Sequence, residues 1–481
     1  MSKTKKSAPA EYISNPEGDI YAVSGLPEEV IAVIFAYVSR SPKSFKDNIA
    51  TVLKEEGRGK QRAEKFHEKW VLNYGHASVA EHASVHLGIE KVSRLFSSLL
   101  ELCGEHLSFT EYSQRYQKPR RGDFVVPPEI AKKKTLAREF LSVCEQQYDI
   151  YEKLNAKILS YLIKTNPETS ETVLEKIAFE DARYALNLSA MTNLGMTANA
   201  RAVEECLMKL LSSEYAEAQM RAEEIKREVR FGVPTLVKYA SPNPRLKKTR
   251  EKLERFCSAM APKKHRKTKD APFVRLVDWT GKGARDPQAQ ALAAISAGLA
   301  YGSGLPQSSG INRLTLKQSG ALFKAAISEL GKHDNPHDAL KLVNYSAEFV
   351  ISEACWHQLL RHRKAQWFAA EPSVGFGLTI PPNVKKARAG ELLIEAAALS
   401  EDLYAKLTDA GKPQAAAYAV TNAHNRKVLG VFSLWELYHL INLRMSEGAQ
   451  WDIKKMTKLL ADEVGKVHPL LVKPALKRIR K

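Results

Sequence analysis

The chain has 481 residues, 44% of them hydrophobic, with 73 Lys and Arg against 54 Asp and Glu, a formal charge of +19. That length allows roughly two to four domains and one or more full cores. The charge attracts polyanions (nucleic acid, nucleotides, anionic lipid or an acidic partner) without choosing among them. Cys103, Cys144, Cys206, Cys257 and Cys355 are scattered, odd in number and never form C-x-x-C. That argues against a zinc or disulfide framework and for a reducing compartment. The opening MSKTKKSAPAEY lacks the apolar core of a signal peptide, and no stretch is apolar for long enough to span a bilayer. A soluble, cytoplasmic protein without a membrane partner is expected.

In chain order, residues 19–45 (DIYAVSGLPEEVIAVIFAYVSRSPKSF) read as an alternating strand, a turn and a helix. HASVHLGIEKV then leads into the helical SRLFSSLLELCGE. Residues 181–219 read as a long helical region ending near an Ala-Gln pair. Residues 241–272 are dense in Lys and Arg with prolines at both ends, a basic linker or exposed arm. Beyond it the order repeats. FVRLVDW and a helical run come first, KLVNYSAEFVI leads into SEACWHQLLRHR, and residues 415–453 again read as helical. Three matching segments in one order indicate a tandem duplication. The expected division is a first repeat at 1–240, a linker at 241–272 and a second repeat at 273–481.

Several residues suggest chemistry. Arg361-His362-Arg363 closes an apolar helix, and arginine forks suit phosphate or carboxylate oxygens, although cations at a helix C-terminus also serve as caps. Ser113 and Arg115 face one side if the chain is extended, a hydroxyl beside a guanidinium that suits a phosphate monoester. HASVAEH places His76, Ser78, Glu81 and His82 around a turn, without a convincing metal-ligand set, so no metal is expected.

Together these motifs resemble the flavin-dependent thymidylate synthases, whose signature runs R-H-R-x-x-S-x-N-E-x-S-x-R-Y. It is preceded there by H-x-S/T-x-x-E-H and followed by A-R, N-x-R and L-R elements. The first repeat matches His76, Ser78, Glu81 and His82, then Ser108, Glu111, Ser113, Arg115 and Tyr116, the A-R arginine Arg183, and Asn199 and Arg201 of N-x-R. It carries Cys103-Gly104-Glu105 in place of R-H-R and Leu210 in place of the L-R arginine. The second repeat keeps Gln358, Arg361, His362, Arg363, His439, Arg444 and the AQWDI that follows, but lacks S-x-R-Y and has FSLW where N-x-R belongs. Each repeat keeps what the other has lost, so composite sites are expected.

The resemblance implies an α+β fold, two tandem copies of a small twisted, mainly antiparallel sheet with helices. It implies reductive methylation of dUMP to dTMP through FAD, with NADPH and methylenetetrahydrofolate as co-substrates, in a homodimer that forms a pseudo-tetramer. By position, Arg444 and Arg361 would be catalytic. Ser113, Arg115, Arg183, Gln358, Arg361 and Arg444 would hold dUMP. His76, Ser78, Glu81, Glu111, Asn199, Arg201, His362, Arg363 and His439 would meet FAD. The alternative is an inactive or repurposed protein of this fold that binds RNA or DNA through its basic linker and surface.

Overall fold

The computed structural model of the chain describes residues 10–39, 41–56, 77–260, 272–302 and 314–479. The first repeat runs through α1 (Glu28–Val38), α2 (Phe45–Glu56), β1 (Ser84–Ser93), α3 (Arg94–Glu101), β2 (Leu107–Glu111), α4 (Lys134–Thr165), α5 (Glu171–Ala182), β3 (Met191–Asn199), α6 (Ala200–Leu211) and α7 (Ala216–Val229). After α8 (Pro244–Met260), the second repeat supplies β4 (Phe273–Trp279), α9 (Pro287–Gly302), α10 (Leu316–Ile327), β5 (Asn344–Ser352), α11 (Glu353–Leu359), β6 (Gln366–Ala369), α12 (Gly390–Asp409), α13 (Pro413–Ala419), β7 (Asn425–Ser433), α14 (Leu434–Arg444), α15 (Trp451–Val467) and α16 (Pro469–Arg478). No helix among the described residues is long and apolar enough to cross a membrane.

Both sheets are antiparallel, in the orders β1-β3-β2 and β4-β5-β7-β6. The two copies reuse one local hydrogen-bond plan. β1 ends at Ser93 and β5 at Ser352, and each hydroxyl caps the next helix by accepting from Phe96 N or Cys355 N. Each hydroxyl also donates to a buried carboxylate further on, Ser93 to Glu217 at 2.6 Å and Ser352 to Asp452 at 2.5 Å. β3 and β7 end likewise, with Asn199 capping α6 and Ser433 capping α14. A short polar side chain at the strand-to-helix corner satisfies a helix N–H that would otherwise be orphaned.

Three expectations are corrected. The helical readings of 181–219 and 415–453 each conceal a strand, β3 and β7. Met191–Asn199 alternates buried and exposed positions, and β3 has a paired strand on either side, so ladder formation overrides helix propensity. Residues 19–25 do not form a strand and contribute only the isolated bridge Ile13↔Val23. The basic stretch is not all linker, because residues 244–260 fold as α8. Its start is tied by Arg250, which donates to the Ser212 carbonyl at 3.0 Å, while Leu253, Phe256 and Met260 stay exposed.

The chain packs as two compact units. Unit 1 comprises residues up to 112, 127–129 and 191–263, and unit 2 comprises 113–126, 130–190 and 264–481. Residues 113–126 and 130–190, which precede the linker in sequence, therefore pack with the second repeat. Within unit 2, α4 lies against α12, and Gln147 Nε2 donates to the Ala396 carbonyl at 3.0 Å. Leu188 N donates to Val420 O, Asn422 N to Leu186 O and Ala423 N to Tyr184 O, a backbone exchange that locks residues 184–188 to 420–423.

Candidate active site

In unit 2, α11 is buried along its length, and the Arg-His-Arg triplet that follows it is split by burial. Arg361 and Arg363 are exposed, whereas His362 is only 4% exposed. Trp367 Nε1 donates to the His362 carbonyl at 3.0 Å, and the Trp367 ring lies so close over Gly430 that a Cβ there would sit 2.3 Å from it. A side chain at 430 would displace the tryptophan that fixes the His362 turn.

Arg444, at the end of α14, donates from Nε to His362 Nε2 at 2.9 Å and from Nη2 to the Gln358 carbonyl at 3.1 Å. A guanidinium only donates, so Nε2 is the acceptor and the imidazole proton sits on Nδ1, 2.8 Å from Glu436 Oε1. Burial holds His362 below its ordinary value, and Arg444 adds to this while Glu436 opposes it. Burial and then Arg361 bring Arg444 down to about 10. His439 is exposed, stacked on Trp435 at 6.2 Å and edge-on to His362 at 5.6 Å. His362, Glu436 and His439 bring donor atoms within 4.8 Å of one another. A cation on Nδ1 would force the ring proton onto Nε2, against the Arg444 N–H, so the cluster suits a proton better than a metal.

The segment 113–190 brings further charged groups into unit 2. Ser113 and Arg115 do not lie on an extended strand as expected. β2 ends at Glu111, and the chain turns so that Tyr116 N donates to Ser113 O and the Ser113 hydroxyl accepts from Arg115 N at 3.3 Å. Arg115 pairs with Glu180 through Nε and donates from Nη2 to the Gly448 carbonyl at 3.1 Å. Arg183 is buried, and its Nε donates to the Glu180 carbonyl at 3.3 Å.

Beneath these cations lies a buried network that the sequence reading missed. Asp452 accepts from Tyr184 OH at 2.9 Å as well as from Ser352, and Gln450 Nε2 donates to the same phenol oxygen at 3.0 Å. Gln450 Oε1 accepts from Gln358 Nε2 at 3.0 Å and caps α15. Gln358 is 8% exposed, and its Oε1 has no hydrogen-bond partner among the described residues. The sequence signals for this network were Gln358 and the AQWDI that trails Arg444. Cys355 lies close by, but burial and then Asp452 push its thiol up, so it is no thiolate nucleophile.

Asp181 accepts from Trp451 Nε1 at 2.7 Å and from Asn383 Nδ2 at 2.9 Å. Burial, aided by Glu180 and opposed by those donors, lifts its carboxyl to about 7 from an ordinary value of 3.8. The proton is thus held more tightly in the folded state than in the unfolded one. The cost of ionising Asp181 therefore develops as pH rises from about 4 through about 7 and is complete above that. Asp181→Asn should remove this slope, so its urea midpoint relative to wild type improves from about pH 5 to about pH 8. A pH-independent difference would refute the assignment.

The remaining candidates lie in unit 1, apart from His76, which is outside the described residues. Ser78 is exposed in the turn Ala77–His82. Glu81 and Arg201 pair with each other, each about half exposed. Glu111 is buried, 2.5 Å from Arg94 Nη1 and 3.1 Å from Thr192 Oγ1. Asn199 Oδ1 accepts from Ala202 N at 2.8 Å. Glu111 and Asn199 thus have structural partners, and Ser78, Glu81 and Arg201 are the groups of this set at the surface.

Fold and site define a duplicated α+β protein in which segments of both repeats form one arginine-rich polar cluster. A family model described as thymidylate synthase complementing protein matches residues 22–235 and again 275–470, so the chain belongs to the flavin-dependent thymidylate synthase family and carries its domain twice. A UPF0159 protein of Thermoplasma acidophilum is 25% identical over 478 residues, 91% of this chain and 93% of that protein. A UPF0159 protein of Chlamydia pneumoniae is 27% identical over 266 residues, half of each chain. A flavin-dependent thymidylate synthase of Clostridium tetani is 30% identical over 220 residues, 45% of this chain and 83% of that enzyme.

Proposed function

We propose that the chain is a flavin-dependent thymidylate synthase that converts dUMP to dTMP with methylenetetrahydrofolate and NADPH, and that its nucleotide site lies in unit 2. One observation carries this reading: Arg115 and Arg183 of the first repeat belong to the same packing unit as Gln358, Arg361 and Arg444 of the second. Each repeat supplies the cations the other lacks.

In this reading Arg115, Arg183 and Arg361 hold the phosphate through charge-assisted hydrogen bonds. Gln358 Oε1, buried and without a partner among the described residues, accepts from the pyrimidine N–H. Arg444 stabilises charge that develops on a pyrimidine carbonyl oxygen. FAD, when bound, supplies the hydride chemistry. Its phosphates and flat ring suit the exposed side chains of Arg363 and His439 in unit 2. In the first repeat, Cys103 is buried and Glu105 stands exposed where an arginine would be needed, so one nucleotide site per chain is expected. Two chains would form the active assembly.

The test is an FAD titration followed by absorbance and fluorescence, with and without dUMP, on wild type and Arg115→Ala. The expected result is bound flavin whose spectrum dUMP perturbs, with one dUMP per chain. In Arg115→Ala, dUMP should weaken by about 1.5–3 kcal/mol, the loss of a hydrogen bond to a charged group. If neither FAD nor dUMP binds, the reading fails. Affinity for RNA or DNA that falls steeply with salt would then move the function to α8 and the basic segment after it.

A further inference from the structure

We propose that Glu436 is a positioning residue: acting through His362, it orients Arg444, so the nucleotide site depends on a carboxylate that does not touch the ligand. This rests on the reading of unit 2 as a dUMP site.

An arginine on a long stem has many rotamers, and holding it in one requires acceptors on both sides of its fork. Arg444 has two, the Gln358 carbonyl and His362 Nε2. The carbonyl accepts under all conditions, but the imidazole nitrogen accepts only while its proton is on Nδ1. Neutral histidine in water prefers the proton on Nε2, and that tautomer would point an N–H at the Arg444 N–H. Glu436, 3% exposed and 2.8 Å from Nδ1, holds the proton on the required side. The logic is that of the outer partners that orient metal-bound histidines, with the guanidinium in the place of the metal.

The other repeat gives independent support. By the motif register, Gly104 stands where His362 does, and Leu210 stands where Arg444 does. Counted from the helix caps Asn199 and Ser433, Ala202 stands where Glu436 does. The three members are present together in one copy and absent together from the other. A purely structural carboxylate would have no reason to follow the arginine and the histidine.

Two measurements test this. In the first, dUMP affinity is measured by calorimetry for wild type, Glu436→Ala, Glu436→Gln, Arg444→Ala and Glu436→Ala/Arg444→Ala. Glu436→Ala should lose about 10-fold in affinity, and the same change should cost nothing further once Arg444 is gone. Glu436→Gln, whose Oε1 still accepts from Nδ1–H, should recover most of the loss. Equal affinity in wild type and Glu436→Ala, or an equal loss in both backgrounds, overturns the proposal. The second is the ¹⁵N spectrum of histidine-labelled protein, with His362 assigned by its absence in His362→Gln. The wild type should show the Nδ1–H tautomer, and Nε2–H there overturns the proposal even if no variant at 436 or 444 folds. If the wild type binds no dUMP, the reading of the site fails, and the tautomer measurement still decides whether Glu436 sets the ring.

Discussion

Arg444→Ala is expected to lose about 10²–10³-fold in turnover, the range for removing one preorganised donor from a developing oxyanion, while flavin stays bound. Among the described residues Arg444 uses one N–H on His362 and one on the Gln358 carbonyl, which leaves three of its five for a ligand. Its partial burial strengthens each of those bonds, and the same burial brings its pKa down to about 10. The groups proposed to meet flavin, Arg363 and His439, are untouched by the change, so flavin absorbance should survive. Steady-state dTMP formation and flavin content, measured on one preparation, decide the matter. Turnover within a few-fold of wild type would remove Arg444 from the mechanism, and lost flavin would make the effect one of assembly.

Arg94→Ala should destabilise unit 1 by about 3–5 kcal/mol, because it leaves the Glu111 carboxylate buried without its counter-charge. The pair is 2.5 Å apart, with side chains 3% and 1% exposed. The second repeat solves the same corner with reversed charge. Glu353 follows the cap Ser352 as Arg94 follows Ser93, and Glu353 pairs with the buried Arg426 at 3.3 Å. Thr192, the strand neighbour of Glu111, stands where Arg426 does when β3 and β7 are aligned at Asn199 and Ser433. A buried corner charge that changes sign between copies and draws its partner from a different strand belongs to packing rather than to a shared ligand, which makes Glu111 a stability residue first. Urea denaturation followed by circular dichroism would show an early transition in Arg94→Ala. An unchanged midpoint would mean that the pair contributes nothing and would return Glu111 to the flavin side.

What the sequence could settle was what is local or repeated. The duplication, the complementary loss of R-H-R from one copy and S-x-R-Y from the other, and the buried helix before Arg361 are all carried by order and spacing along the chain. Period-two alternation revealed β1 and β5, whereas β3 and β7 were hidden because their residues form strands only when neighbouring strands pair with them. The sequence could not divide Arg361-His362-Arg363 into two exposed cations and one buried ring, because that division depends on α14 bringing Glu436 and Arg444 to His362. Nor could it show that Ser113 and Arg115 sit in a turn, or that residues 130–190 pack with the second repeat. The 32-residue α4 buries its apolar face wherever a complementary face is available, and here α12 supplies it. Residues 115 and 444 share a unit for that reason, since apolar burial chooses partners by shape and area and not by distance along the chain.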